Sequence, residues 1–167
     1  MSQFEFDAKT NVAMLGGQSM VFHCHHYNTA LQRAVEGGLG AAAPDVLTVA
    51  AQESARLQLS ALASKGSGPQ ERLAHADKLF AELGFGRLDF SEAGARGGTV
   101  KVSNSHYAMG WVSKYGERDT PTCHFVSGFI GGALAVAHNL APERIVVTET
   151  RCLATGHPAC RFKVEVL

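Results

Sequence analysis

Three cysteines and a glutamate near the C-terminus constrain this chain more than any other feature: Cys123, then Glu149-x-x-Cys152, then seven residues and Cys160. A tetrahedral zinc ion takes four such ligands, thiolates by preference and a carboxylate as one member. The loop from Leu153 to Ala159 contains Gly156 and Pro158, so the chain can reverse there and bring two sulfurs to one ion. Glu149 is the demanding member, because in an ideal strand it and Cys152 point to opposite faces. They converge only where the strand ends or bulges near Arg151. Cys123 falls in the first turn of a helix predicted to be capped by Thr120, with Pro121 in its first position. Free N–H groups and the helix dipole favour a thiolate there. Arg151, Arg161 and His157 are near enough in sequence to offset the negative charge of such a ligand set. Spacing alone leaves two other readings open: a disulfide such as Cys152–Cys160, or small core residues beside a surface glutamate.

Composition decides what such a site is for. The 167 residues suit one domain, 1–167, and 46% apolar against 18% charged residues supply a core. A domain of this size buries roughly 70% of its unfolded surface, so a metal would act as a local clamp. Fifteen basic residues balance fifteen acidic ones without a basic stripe, which argues against nucleic acid as a partner. Apolar runs break well before eighteen residues, and Met1 to Thr10 lacks a basic-then-apolar layout. The expectation is a cytoplasmic protein with no membrane partner, where close-set cysteines bind metal more often than they pair.

Along the chain, Asn11 to Phe22 reads as an extended arm broken at Gly16-Gly17, within a segment 1–22 with no obvious partner inside the domain. Helices are predicted from about His26 to Glu36, stopped by Gly37-Gly38; from Pro44 to about Ala63; and from Pro69 to Leu83. The last has an apolar stripe of Leu73, Ala76, Phe80 and Leu83. Ser64 to Gly68 is a connector. Strands follow at Arg87–Glu92, Thr99–Ser103 and His106–Ser113, then the Thr120–Pro121 helix to Asn139, and strands at Ile145–Thr150 and Arg161–Val166. Helices followed by an antiparallel sheet with one long helix make an α+β fold.

The run Cys123-His-Phe-Val-Ser-Gly128-Phe-Ile-Gly-Gly132, with Glu149-x-x-Cys152 and Gly156-His157-x-x-Cys160-Arg-Phe162, resembles the 4-vinyl reductase-like domain. That family also supplies the aromatic-sensing domains of phenol- and xylene-responsive activators. The resemblance extends from Val100 to Leu167, including Asn104-Ser105. It implies an antiparallel sheet packed against helices, like that of haem nitric-oxide sensor domains, with a C-terminal zinc loop. It implies structural Zn2+ on Cys123, Glu149, Cys152 and Cys160, a homodimer through the N-terminal arm, and a small hydrophobic or aromatic ligand held near Ser127 and Val147. Gly128, Gly131 and Gly132 thin the helix, for close packing or for ligand space.

The family does not account for Phe22-His23-Cys24-His25-His26-Tyr27-Asn28. If a helix starts by His23, then His23, His26 and Tyr27 share the face of Leu31, taken to point inward, with His106 as a third contact. Such a set suits either a second metal or haem, or the polar group of an organic ligand. Two functions follow. The first is a zinc-containing protein that senses or carries a hydrophobic or aromatic molecule in an internal cavity. The alternative is a metalloenzyme, or a haem or iron protein, using a second metal at His23/His26/Tyr27.

Overall fold

The computed structural model describes residues 4–21, 23–62 and 67–167. Phe22 and the first part of the predicted connector, residues 63–66, lie outside the described residues. Strands β1 (Phe4–Asp7), β2 (Val12–Leu15) and β3 (Gln18–Met20) form an antiparallel meander. Helices α1 (His25–Leu39), α2 (Ala43–Leu62) and α3 (Pro69–Glu82) follow. Next come β4 (Arg87–Gly94), β5 (Gly97–Ser103), α4 (His106–Tyr115), α5 (His124–His138), β6 (Ile145–Arg151) and β7 (Cys160–Val166). The second sheet is antiparallel throughout, in the order β4-β5-β7-β6.

The core forms around α5, where every residue from Val126 to Ala135 is buried. This helix lies against α2, α3 and β6. A Cβ on Gly132 would stand 2.7 Å from the Gln52 carbonyl oxygen and 2.8 Å from Ala55 Cβ, and one on Gly128 would overlap the Thr48 carbonyl oxygen. The glycines therefore serve close helix packing, the first of the two roles their spacing allowed. Phe80 stacks obliquely on Phe129 (4.8 Å between centroids), joining α3 to α5, while Val100, Val102, Phe162 and Val164 cover the core from the sheet.

Four expectations need correction. The stretch from His106 is a helix rather than a strand. Asn104 takes a left-handed turn (φ 56°), and the Ser105 hydroxyl then accepts the Ala108 N–H at 3.4 Å as an N-cap. Helix α5 begins at His124, later than Pro121, because Thr120 is engaged by the Arg118 guanidinium (2.9 and 3.1 Å) and Thr122 by Gln32. Gly37-Gly38 does not stop α1, which runs to Leu39 and closes on Gly40 at φ 54°. The arm has partners after all: β2 pairs with β1 and β3, Leu15 enters the core, and Gln18 donates to the Gln58 carbonyl at 3.3 Å.

Candidate metal centre and ligand pocket

The four predicted ligands meet. Strand β6 loses register with β7 between Glu149 and Arg151 and ends there, so Glu149 and Cys152 turn to the same side. The short turn Leu153–Thr155 and Gly156 at φ 79° reverse the chain to Cys160, which starts β7. Cys123 arrives from the N-cap of α5. Its sulfur lies 3.9 Å from Cys152 Sγ and 3.7 Å from Cys160 Sγ, and all four ligand atoms fall within 4.8 Å of one another. A tetrahedral ion with metal–sulfur bonds of about 2.3 Å has sulfur–sulfur edges of about 3.8 Å. A disulfide needs about 2.05 Å, and all four cysteines are free thiols.

The surroundings fit a cation. Cys123, Cys152 and Cys160 are fully buried. Glu149 Oε2 accepts the Cys123 N–H at 2.9 Å, while its Oε1 is buried with no hydrogen-bond partner. An unpaired buried oxygen costs about 1–3 kcal/mol, which a metal bond would offset. Burial pushes the Glu149 carboxyl up to about 8, with the Cys152 charge adding to the effect. Burial also raises the Cys123 thiol, whereas hydrogen bonds from Cys123 and Cys160 hold Cys152 far below its ordinary value. Four acids share one dry space, and a divalent ion would let all of them ionise. The Leu153 N–H (3.3 Å to Cys160 Sγ) and the Ser105 hydroxyl (3.2 Å to Cys123 Sγ) orient the thiolates. His157, expected in that role, instead meets the Thr155 hydroxyl at 3.0 Å.

The histidine cluster does not face inward. His23, His26 and Tyr27 are exposed, and Leu31 is half-exposed, because α1 starts two residues later than the inward reading requires. Its buried positions are Thr29 and Gln32, both polar. Gln32 donates to the Thr122 carbonyl at 2.8 Å and to its hydroxyl at 2.6 Å, beside Cys123. His23 stacks on Tyr27 at 4.5 Å, and half-buried His106 lies in the α1–α4 seam.

Two spaces flank α1. A cleft of about 1210 Å³ runs between α1, α2 and strand β6, and Ser127 and Val147 both line it. Val49 and Val146 on its walls are 63% and 41% exposed, so it opens to solvent. At its polar end Arg118 covers the Trp111 ring at 4.2 Å and pairs with Glu36 at 3.0 Å. The second space, about 240 Å³, lies between α1 and α2 over Tyr107 and Phe125, which stack at 5.1 Å. Leu31, Leu47 and Ala51 wall it, with Asn28, Gln32 and Ser54 as polar members. Burial, helped by the Cys123 charge, pushes the Tyr107 hydroxyl up to about 12, so it remains a neutral phenol. This pocket was not legible in the sequence, although Tyr107 and Phe125 both belonged to recognisable motifs.

Residues 100–166 match the vinyl-4-reductase domain family, in line with the resemblance read from the sequence. A stretch of 49 residues is 41% identical to an uncharacterized protein of Methanocaldococcus jannaschii, spanning 29% of this chain and only 25% of that protein. The fold is that of the phenol-responsive sensory domain of the transcription activator PoxR, solved with phenol: TM-score 0.80, 21% identity, 98% of this chain and 84% of the other. A vinyl-4-reductase family protein from M. jannaschii is also similar, at TM-score 0.54 and 22% identity over 72% of this chain and 68% of that one. Among the described residues no helix is long and apolar enough to cross a membrane.

Proposed function

We propose that this protein is a zinc-stabilised binding module that senses or carries a small aromatic molecule. The pocket over the Tyr107–Phe125 stack carries the reading. Its volume of about 240 Å³ suits a single ring, its walls are mainly apolar, and a few polar groups stand ready to orient a substituent. The PoxR domain of the same fold binds phenol, which supports a ligand of that class. Zinc is the ion the Cys3Glu donor set prefers. All four positions would be filled by protein ligands, so the ion would hold structure rather than act on a substrate. Gln32 touches both the pocket and Thr122, so an occupant would bear on the metal loop.

Phenol titration by calorimetry tests this. Ala50→Phe, at the rim of the smaller pocket, should weaken phenol binding at least tenfold, and Val147→Phe in the wide cleft should leave it unchanged. The opposite pattern would move the ligand to the cleft beside Ser127. Failure of the parent protein to bind phenol or simple substituted phenols would refute the reading.

The protein also self-associates under this proposal, through the meander. Phe4 and Phe6 are 54% and 58% exposed on an edge strand. Phe6→Lys should shift a dimer to monomer in analytical ultracentrifugation, and a monomeric parent at micromolar concentration would rule the dimer out.

A further inference from the structure

The exposed histidines have no part in the aromatic pocket, yet the structure draws two of them together across a helix seam. His25 opens α1 and His106 opens α4. One turn beyond His106, Gly110 has no side chain, and a Cβ there would meet His25 Cβ at 3.7 Å. The missing side chain lets the first turn of α1 approach α4 closely. The two imidazoles stand nearly perpendicular, with centroids 6.4 Å apart, and the His26 ring lies 3.9 Å from that of His25.

We propose that the α1–α4 seam binds an exchangeable divalent transition-metal ion through His25 and His106, with His26 completing the set. Metal–nitrogen bonds of about 2.0–2.1 Å put each ring centroid about 3.2 Å from the ion. Two rings on one ion are then roughly 4.5 to 6.4 Å apart, and the observed separation sits at the open end of that range. The Cys123 quartet is the only set of three or more such groups among the described residues whose ligand atoms already lie within 4.8 Å. The imidazoles therefore close on an ion by side-chain rotation, which their exposure permits.

Asn28 supports the role of His106. Its side-chain amide lies 3.3 Å from His106 Nε2. With the amide turned over, Oδ1 takes the Nε2 proton and Nδ1 becomes a free ligand, the usual outer partner of a metal-bound imidazole. Burial, and then the charge of His25, hold His106 below its ordinary value, so it stays a neutral donor. The Lys114 ammonium reaches the His26 carbonyl at 3.4 Å, and its charge disfavours a cation held by charge alone. Neutral nitrogen donors select copper, nickel or zinc over magnesium and calcium, with copper(II) bound most tightly.

The test is copper(II) titration of the untagged protein, followed by calorimetry and electron paramagnetic resonance, with zinc content monitored in parallel. One copper per chain is expected, with nitrogen hyperfine structure from at least two imidazoles. His25→Ala and His106→Gln should each weaken binding at least tenfold, His23→Ala by less than twofold, and none should change the zinc content. His106→Gln keeps an amide partner for Asn28, and its circular dichroism checks that α4 is intact. Wild-type affinity in either the His25 or the His106 variant overturns the proposal, because the ion would then rest on one helix alone. Absence of copper binding by the parent overturns it as well.

Discussion

Replacing Gly128 by alanine puts one methyl group where α5 crosses α2. The new Cβ would overlap the Thr48 carbonyl oxygen and lie 2.6 Å from Ala51 Cβ and 2.7 Å from the Gln52 nitrogen. Two of the three neighbours are helix backbone, which cannot rotate aside, so the helices must separate. Overpacking of this kind costs about 1–3 kcal/mol, and rigid neighbours favour the upper end. Alanine returns about 0.5–1 kcal/mol in helix propensity and lost unfolded-state freedom. The net loss is about 2 kcal/mol, and at roughly 2–4 °C per kcal/mol for a chain of this size, melting should fall by about 4–8 °C. Gly37→Ala in the last turn of α1 is the matched control, since an added Cβ there meets nothing within 4 Å. It should raise melting by about 1–4 °C. Thermal unfolding followed by circular dichroism reads both. A Gly128→Ala protein that melts at or above the parent would show that the glycines are not packing devices.

Cys152→Ser should remove the metal and lower melting well beyond the Gly128 effect, because it leaves two buried thiols and a carboxylate without a complete ligand set; elemental analysis with calorimetry decides, and full zinc retention would refute the site. Gln32→Met should cost about 1–3 kcal/mol in urea unfolding by leaving the Thr122 carbonyl and hydroxyl without their donor. His106, His124 and His138 are all held below their ordinary value, each chiefly by burial. The unfolded chain gains those protons near pH 6.5 while the folded chain resists them, so stability should fall as pH drops through 6.5 toward the folded values. Urea midpoints at pH 7.5 and 5.5 check the sign, and His138→Gln should flatten part of the slope.

The metal quartet was legible because ligand chemistry is type-specific. Cys123, Glu149, Cys152 and Cys160 have few other reasons to sit at those spacings, and the geometry they demanded near Arg151 is the register break found there. The histidine cluster misled for a physical reason. Periodicity counts apolar residues, and the buried face of α1 is made by Thr29 and Gln32, which are buried because they hold hydrogen bonds to the His25 carbonyl and to Thr122. Helix α4 was missed although Ala108 and Trp111, three apart, are its buried residues; the apolar run around them masked the period. Strand β1 alternates Phe4-Glu5-Phe6-Asp7, a two-residue period too short to weigh until β2 is seen beside it.

The close contact of α2 with α5 also bears on how the chain is made. Ala51, Ala55 and Leu59 form the face of α2 that α5 covers, but α2 ends at Leu62 and α5 begins at His124. At about 5–20 residues per second, a ribosome needs roughly 3–12 seconds to supply the covering helix. Throughout that interval the nascent chain presents an apolar groove shaped to accept a glycine-faced helix. It is open to any chaperone that arrives first, and to α5 of a neighbouring chain on the same messenger.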